Sequence, residues 1–379
     1  MKEKLKKFLY NLNYRFIMKN IILMESNPDF SDNTRAVFDE MINRGLNEKF
    51  KIIWVVKNKK KFNDIHIKNV SFLNRNNKIK FLYYNFISKY IIDCNSYIFK
   101  RNINQYRLHL THGSLLKVPE TYCKELGKVD NLIIASDYFK KYAKKIWNVD
   151  ENVIKVTGLP RNDYILKEDP FFKKMYKKYN KVIVWMPTYR NHSSNNSGIK
   201  TGIRFEYGVP CLNNADEIVK LNNLLKTNNS VLILKFHPIE DTSKLENIKL
   251  SNILLFDDSI FEKKHLTVYH LLSIADALIT DYSSIYYDFL ETKRQICLAI
   301  PDYQEFSKSF NLIYDKIENG IDGYFAYKYD DIYDFINNVL IENDILYNNR
   351  EDCLKRFDNF NDSFNSKRVV DLFLEKIGD

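Results

Sequence analysis

Short apolar runs alternate along the chain with longer segments in which apolar residues recur every three or four positions. The short runs have the length of buried strands, and the longer segments have the period of helices with one apolar face. In the first half of the chain the pattern predicts strands at residues 21–24, 51–56, 90–94, 107–110, 131–135 and 153–156. A helix is predicted from Ser31 to about Arg44, with Gly45 as its stop signal. Strands that alternate with helices predict a parallel sheet with both faces covered.

The segment 166–181 interrupts this alternation, because it is charged and aromatic and contains Pro170. We therefore predict a link between two domains at this point. After it, strands are predicted at residues 182–186, 231–236, 253–256, 277–280 and 296–299, and helices near 215–226, 268–275, 284–291 and 331–341. The chain is thus predicted to be an α/β protein with two doubly wound domains. Their carboxyl strand ends are expected to face each other across a cleft, where ligands of such sheets bind.

These elements predict an N-terminal domain over residues 1–170, a second domain over 171–362 and a C-terminal amphipathic helix over 363–379. Residues 1–20 predict a further helix, in which apolar residues keep a helical period with lysines between them. Such a basic helix either lies on an anionic lipid surface or packs against its own domain. The polar segment 191–202 predicts a loop.

Composition narrows the class of partner. The chain has 379 residues, more than one ordinary core accommodates, and its formal net charge is +10. A basic excess fits nucleic acid, a membrane surface or an anionic substrate, but no nucleic-acid-binding signature accompanies it, so no nucleic-acid partner is expected. The five cysteines have no paired spacing, which argues against a disulfide framework or a structural zinc site. No apolar run reaches about 18 residues and no signal-peptide core is present, so we expect a cytoplasmic protein.

The stretch 275–289 contains the most specific local pattern. A buried-strand pattern runs into Asp281-Tyr282-Ser283-Ser284, which is a helix-start signal, and then into a helical pattern. The amino end of a helix with two hydroxyl groups suits an anion such as phosphate. Asp288 follows Ser284 by one helical turn, where its carboxylate would accept hydrogen bonds from sugar or polyol hydroxyls. The simpler interpretation is a helix for which Ser283 is only the cap.

Two further motifs follow strands of the first domain. Histidine side chains ordinarily titrate near neutrality, so His112 is a candidate general base, and Gly113 leaves room for a substrate beside the backbone. Arg161 lies in a Gly-Pro turn after the last strand of this domain and is a candidate phosphate ligand. A structural His-Gly turn and a solvated arginine are the simpler alternatives.

The second domain places further basic and hydroxyl groups after its strands. Thr188 and Arg190 follow its first strand, and Lys235 and His237 lie at the end of the next. Protonated His237 is a candidate partner for a phosphate oxygen. The chain has no P-loop and no Gly-x-Gly-x-x-Gly, so neither an ordinary ATPase nor a dinucleotide dehydrogenase is expected. Without an Asp-x-Asp metal motif, charge neutralisation of a nucleotide diphosphate would fall to His, Arg, Lys and helix ends.

Taken together, these motifs resemble the CDP-glycerol glycerophosphotransferase family, which includes the teichoic acid primases and polymerases. The resemblance covers most of the chain in the family's order. The matching runs begin at Met24, Phe30, His112, Gly158, Pro187 and Thr280. The run Thr280-Asp281-Tyr282-Ser283-Ser284 through Asp288-Phe289 is the most specific of them. Ser114-Leu115 replaces the family's usual Thr-Pro, which puts the acceptor side in question.

The resemblance implies a GT-B-like fold and transfer of a polyol phosphate from a CDP-activated donor to a glycan or polyol-phosphate acceptor, with release of CMP. It implies His112 as the base and His237 at the diphosphate, with Ser283, Ser284 and Asp288 at the donor. Acceptors in this family are commonly lipid-linked, so an anionic membrane surface is an expected partner. No cofactor and no metal ligand are predicted, although a divalent cation stays open. The polymer is either a teichoic acid or a capsule.

Three alternatives to glycerol phosphate transfer remain open at this stage. The donor is CDP-ribitol in the first, and a nucleotide sugar used by a GT-B glycosyltransferase in the second. The third is a non-catalytic basic scaffold on a membrane surface, which would explain the charge of the chain. It would not explain why histidines and a Ser-Ser helix start follow strand ends.

Overall fold

The computed structural model describes residues 18–95, 97–114, 116, 127–190, 205–238, 240–309, 317 and 320–378. The helix predicted over residues 1–20 lies outside this part of the chain, except that Lys19 and Asn20 already belong to a strand. The loop predicted over residues 191–202 also lies outside it. None of the helices in the described ranges is long and apolar enough to cross a lipid bilayer.

Strands and helices alternate through both halves of the described chain. The strands are β1 Lys19–Glu25, β2 Lys51–Val56, β3 Val70–Asn74, β4 Ser88–Asp93, β5 Tyr106–His109, β6 Asn131–Ile134, β7 Ile154–Val156, β8 Val182–Trp185, β9 Val231–Leu234, β10 Ile253–Leu255, β11 Ala277–Thr280, β12 Gln295–Ala299 and β13 Tyr324–Ala326. The α-helices are α1 Asp32–Asn43, α2 Lys78–Ile87, α3 Lys140–Trp147, α4 Asn162–Ile165, α5 Pro170–Tyr176, α6 Ala215–Thr227, α7 Ser243–Glu246, α8 Ser259–Lys264, α9 Val268–Leu272, α10 Ile285–Leu290, α11 Tyr303–Ser309, α12 Tyr329–Leu340, α13 Tyr347–Phe357 and α14 Asn365–Ile377.

The described residues form two compact units, each with its own parallel sheet. In the first unit the strand order is β3-β2-β1-β4-β5-β6-β7, and in the second it is β10-β9-β8-β11-β12-β13. Every strand pair described is parallel. Because all strands of a parallel sheet point in the same direction, their carboxyl ends lie at one edge of the sheet. The loops that follow the strands therefore gather at that edge.

The boundary between the units differs from the predicted one. The first unit contains the described residues up to Gly113, those from 127 to Asp163 and those from Asp362 onward. The second contains Tyr164–Asn361, together with Ser114 and Leu116. The sequence pattern predicts a separate C-terminal helix, whereas α14 returns to the first unit and packs against α1. Val369, Val370 and Phe373 of α14 are buried in the core of that unit.

The segment predicted as a link, 166–181, is part of the second unit. Within it α5 begins at Pro170, and the side chain of Asp169 caps the helix by accepting a hydrogen bond from the Phe172 amide at 2.9 Å. Phe172 is fully buried and lies 6.0 Å from Phe256, measured between ring centroids. The link prediction is therefore wrong, because Pro170 starts a packed helix and does not mark a break between domains.

The predicted core strands are confirmed, but the pattern does not reveal the outermost strands β3 and β13. These two strands lie at the outer edges of the two sheets. Only Leu73 of β3 and Ala326 of β13 are buried, whereas all four residues of β8, β9 and β11 are. An edge strand buries fewer side chains, so its hydrophobic signal in the sequence is weaker.

Gly158 permits the final helix to dock on the first unit. Its backbone is left-handed, with φ of +75°, and a Cβ atom built there would lie 1.8 Å from Oδ1 of Asn365. Five residues later, the carboxylate of Asp163 accepts hydrogen bonds from the amides of Asn365 at 2.9 Å and Ser366 at 2.8 Å. These two amides open α14, so Asp163 satisfies a helix amino end that has no partner of its own.

We predict that Gly158→Ala destabilises the first unit more than Gly45→Ala does. Both glycines have left-handed backbones, but nothing lies within 4 Å of a Cβ at Gly45. The Gly45 variant should therefore show only backbone strain of about 1 kcal/mol, whereas the Gly158 variant must also displace Asn365. Urea unfolding of both variants measures the difference. Equal free energies of unfolding would show that the close approach of α14 is not needed.

Candidate active site

His112 and Asp32 meet at the carboxyl edge of the first sheet. His112 follows β5, and Asp32 opens α1 after β1. Nδ1 of His112 is in short contact with Oδ2 of Asp32. The imidazole is 48% exposed and the carboxylate only 4%, so the carboxylate holds the inner nitrogen of a ring that is open to solvent. A carboxylate behind an exposed imidazole is the arrangement that prepares a histidine to act as a base.

The backbone around this pair is fixed by unusual local geometry. Asp32 and Thr111 have left-handed backbones, with φ of 60° and 55°. Asn33 ties the two segments together, because its side-chain amide donates to the carbonyls of Leu110 at 3.2 Å and Thr111 at 3.1 Å. Non-glycine residues in this conformation are costly and are kept where the surrounding structure determines them. The strain thus coincides with the residues that position His112.

Asp32 is a charged carboxylate despite its burial. Burial alone would raise its pKa, but the charges of His112 and Arg161 and their hydrogen bonds outweigh this effect and hold the pKa well below its usual range. The Asn33 amide also donates to Oδ1 at 2.7 Å. A carboxylate that stays ionised is an acceptor for the Nδ1 proton of His112, which leaves Nε2 of the neutral ring as the basic atom.

Arg161 lies beneath this pair rather than at the surface. Its Nη1 atom donates to Oδ1 of Asp32 at 2.9 Å, and its side chain is 3% exposed. Its backbone amide donates to Oδ1 of Asn33 at 3.1 Å. The sequence predicts a guanidinium that binds phosphate, but a buried group paired with Asp32 is placed instead to orient that carboxylate. Gly113, with φ of 102°, adopts a conformation that suits glycine.

A buried carboxyl group that the motif analysis left without a role lies at the same edge of the first sheet. Glu25, at the end of β1, is fully buried, and its Oε1 atom accepts a hydrogen bond from the Asn95 amide at 2.9 Å. Burial, followed by repulsion from Asp93, raises the pKa of Glu25 to about 8. Asp93 itself is paired with Arg107 at 2.7 Å. Perturbed buried carboxyl groups at strand ends are typical of functional sites.

In the second unit, Thr188 and Arg190 belong to a buried ion-pair cluster. The backbone amide of Thr188 donates to Asp281 at 2.9 Å. The Arg190 guanidinium contacts Asp281 at 3.0 Å and Asp302 at 2.9 Å, and only 4% of it is exposed. Burial would lower the pKa of Arg190, but the two carboxylates raise it above its usual value. The sequence predicts both residues as substrate ligands, whereas this geometry assigns them to fixing the loop after β8.

His237 and Lys235 occupy the end of the neighbouring strand β9. The His237 ring is exposed and stacks on Tyr189, with 5.5 Å between ring centroids and 29° between planes. Burial and then the charge of Lys235 lower the pKa of His237, which favours the neutral ring in the free protein. Lys235 donates to Asp258 at 2.9 Å. A bound phosphate would offset the lysine and favour protonation.

The Ser-Ser turn after β11 is accessible, but Asp288 is not. Ser283 and Ser284 are half-buried, and Oγ of Ser283 accepts a long hydrogen bond of 3.4 Å from the Ile285 amide. The helix that follows, α10, has only six residues. Asp288 is fully buried and accepts a hydrogen bond from the Tyr269 hydroxyl at 3.4 Å. This placement favours a structural role for Asp288 over the predicted contact with polyol hydroxyls.

Comparisons with known proteins agree on one family. The family model described as CDP-glycerol:poly(glycerophosphate) glycerophosphotransferase matches residues 8–375. The teichoic acid poly(glycerol phosphate) polymerase of Bacillus spizizenii is 26% identical over 353 residues, which cover 82% of this chain and 84% of that protein. The teichoic acid ribitol-phosphate primase of the same species is 23% identical over 195 residues, or 49% of this chain and 44% of that protein.

A solved structure shows the fold. A variant of the wall teichoic acid polymerase TagF has a TM-score of 0.76 at 19% identity and covers 98% of this chain and 93% of its own. This likeness, with the two parallel sheets, confirms the predicted GT-B-like fold class of two Rossmann-like units. At this identity the likeness carries no information about the substrate.

We predict that Arg190→Met lowers the free energy of unfolding by about 3–5 kcal/mol, because it leaves Asp281 and Asp302 buried without their cation. Lys68→Met is the control, since Lys68 pairs with Glu48 and both side chains are exposed. Its effect should stay within about 0.5 kcal/mol. Urea unfolding tests both variants. A stable Arg190→Met protein that has lost only donor binding would restore the predicted ligand role.

Proposed function

The chain belongs to the CDP-glycerol:poly(glycerophosphate) glycerophosphotransferase family, and from that premise we propose that it transfers glycerol phosphate from CDP-glycerol to a hydroxyl of a glycan or polyol-phosphate acceptor. CMP is the leaving product, and the chain built is a teichoic-acid-like or capsular polymer. The observation that carries the proposal is the pair formed by exposed His112 and ionised Asp32, which lies in two of the runs that resemble the family's motifs.

The family also decides between the alternatives raised by the sequence. Its members are transferases, so the scaffold interpretation is dropped, and its chemistry is phosphate transfer rather than sugar transfer. Glycerol is the favoured polyol, because the glycerol-phosphate polymerase is matched over most of both chains. Ribitol stays the second candidate, since a ribitol-phosphate primase is also a relative.

The proposed reaction is a single displacement at phosphorus. The acceptor hydroxyl gives its proton to Nε2 of His112 as its oxygen bonds to the β-phosphorus of the donor. The bond from that phosphorus to the bridging oxygen breaks, and CMP leaves with the electron pair. Asp32 stabilises the imidazolium formed in this step and keeps Nδ1 protonated throughout. Arg161 and Asn33 keep Asp32 in place.

The second unit supplies the proposed donor contacts. His237 follows β9, and Ser283 and Ser284 follow β11, which only β8 separates from β9 in the sheet. All three side chains are accessible at this edge, so they are the groups that we assign to the diphosphate. The Lys235 charge adds to the field at this edge. Thr188, Arg190 and Asp288 act by holding the loops that carry these groups. The reaction as proposed needs no cofactor, and a divalent cation that accompanies the diphosphate is compatible with it.

Product analysis tests the substrate. We expect the purified chain, given CDP-glycerol and a glycerol-phosphate acceptor, to release CMP and to lengthen the acceptor by one glycerol phosphate, as read by mass spectrometry. A ribitol-phosphate increment from CDP-ribitol alone would select the second candidate. A hexose increment from a nucleotide sugar, without any polyol phosphate, would contradict phosphate transfer.

We predict that His112→Ala and Asp32→Asn each lower kcat, the alanine variant by roughly 10²–10⁴-fold, while donor binding is kept. The double variant should be no slower than His112→Ala, because the two residues act as one unit. Asp39→Asn is the control, since it makes the same change on a partly exposed side chain of α1. The measurement is CMP release with saturating donor and acceptor. Full turnover in folded Asp32→Asn would remove Asp32 from the mechanism.

We also propose that the enzyme works on the inner face of the membrane and touches the lipid through α2. Ile79, Leu82 and Tyr83 lie on one face of this helix and are 84%, 44% and 50% exposed. Lys78 and Lys80 beside them are also exposed. An exposed apolar face with flanking lysines suits an anionic lipid surface. The apolar side chains would be buried among the lipids, and the lysines would be attracted to the anionic headgroups.

Replacing Ile79, Leu82 and Tyr83 together with serine should release the protein from phosphatidylglycerol vesicles in a sedimentation assay. Ile341 and Ile345 of the second unit are 61% and 64% exposed, and their replacement with serine is the control. Phosphatidylcholine vesicles should bind neither the wild type nor the α2 variant well, because their headgroups carry no net charge that attracts the lysines. Equal sedimentation of the α2 variant and the wild type would contradict this surface.

A further inference from the structure

A thiol that the proposed reaction does not use lies near His112 and Asp32. Cys94 follows β4, next to the strand that leads to Asp32, and it is 3% exposed. Its Sγ atom lies 2.9 Å from Oδ1 of Asn95. Ligand atoms of Asp32, Cys94 and His112 all lie within 4.8 Å of one another. Among the residues that the structure describes, these three form the one group of at least three His, Cys, Asp or Glu side chains that lie close enough to share a metal ion.

We propose that Asp32, Cys94 and His112 bind one thiophilic divalent cation such as Zn²⁺, and that the bound cation switches off the base. A thiolate, an imidazole and a single carboxylate form a ligand set that suits Zn²⁺ and is poor for Mg²⁺. Three protein ligands with a fourth position open to solvent are a usual zinc arrangement, and His112 lies at the open side.

The geometry requires only small movements. Zinc ligands lie about 2.0–2.3 Å from the ion, so tetrahedral ligand atoms are separated by about 3.5 Å. Separations of up to 4.8 Å therefore shorten, and the short contact between His112 and Asp32 lengthens, by side-chain shifts of roughly 1 Å. Oδ1 of Asp32 remains bonded to Arg161 and to the Asn33 amide, which would hold the carboxylate while Oδ2 turns to the ion.

The effect on His112 follows from its two nitrogens. Without a cation, Nδ1–H faces Asp32 and Nε2 offers its lone pair. A cation on Nδ1 takes the lone pair of that nitrogen, so the ring proton moves to Nε2, which can then no longer accept a proton from the acceptor hydroxyl. The Cys94 thiol loses its proton to solvent when the metal–sulfur bond forms, so one proton is released for each cation bound.

The first test measures binding and needs no substrate. Cd²⁺ added to the metal-free protein should produce the ultraviolet charge-transfer band of one cadmium–thiolate bond and release one proton. Cys94→Ser should abolish the band and weaken Zn²⁺ binding at least 100-fold in competition with a chromogenic chelator. Cys353→Ser is the matched control, because Cys353 is also buried but lies in the second unit, and Cys123→Ser removes the cysteine outside the described residues.

The second test measures inhibition and rests on the proposed function, whereas the binding test does not. Each variant is compared with its own rate in a metal chelator. Zn²⁺ should inhibit wild type, Cys353→Ser and Cys123→Ser reversibly. Cys94→Ser should need an at least 100-fold higher Zn²⁺ concentration for the same inhibition. An unchanged cadmium band in Cys94→Ser, or no band in wild type, would overturn the site. A correct band with equal zinc inhibition of wild type and Cys94→Ser would overturn the switch, and a correct band without transferase activity would count against the proposed function alone.

Discussion

The contact between Asp32 and His112 is the interaction on which the account of this protein depends. A carboxylate at 4% exposure would ordinarily take up a proton, yet here His112 and Arg161 keep it ionised, and the backbone amide of Asn33 donates a further hydrogen bond to it. The left-handed backbone at Asp32 brings this carboxylate under the loop after β5. Because the acceptor is fixed and charged, the imidazole is oriented, and the reactivity of the exposed nitrogen follows from the burial of the other one.

The second unit uses charge in a similar way. Asp281 and Asp302 are buried after β11 and β12, and Arg190 pairs with both of them. In both units, therefore, an arginine and buried carboxylates hold the loops at the carboxyl edge of a sheet. Among the described motif residues at these edges, the accessible groups are an imidazole in each unit and two serine hydroxyls in the second. This division separates the residues that contact substrate from those that position them.

The sequence predicted the fold well, because parallel core strands are continuous apolar runs and the helices between them have a clear period. It missed β3 and β13 at the sheet edges, and it took the capped helix α5 for a link. For the site, strand-end motifs identified His112, His237, Ser283 and Ser284 as accessible polar groups. The same motifs could not show that Arg161 and Arg190 are buried, since that depends on Asp32 and Asp302, which lie more than a hundred residues away in the chain. The Asp32–Cys94–His112 cluster has no spacing signature for the same reason.

Nitrogen NMR of the His112 ring tests the central claim most directly. The chain has 7 histidines, and the signal of His112 is assigned by its loss in His112→Gln. In metal-free protein at alkaline pH, where an imidazole is neutral, the account predicts a protonated Nδ1 hydrogen-bonded to Asp32 and an unprotonated Nε2. Asp32→Asn should shift this tautomer balance. A ring protonated at Nε2 in the wild type would contradict the account, because the nitrogen facing the acceptor would then have no lone pair to receive its proton.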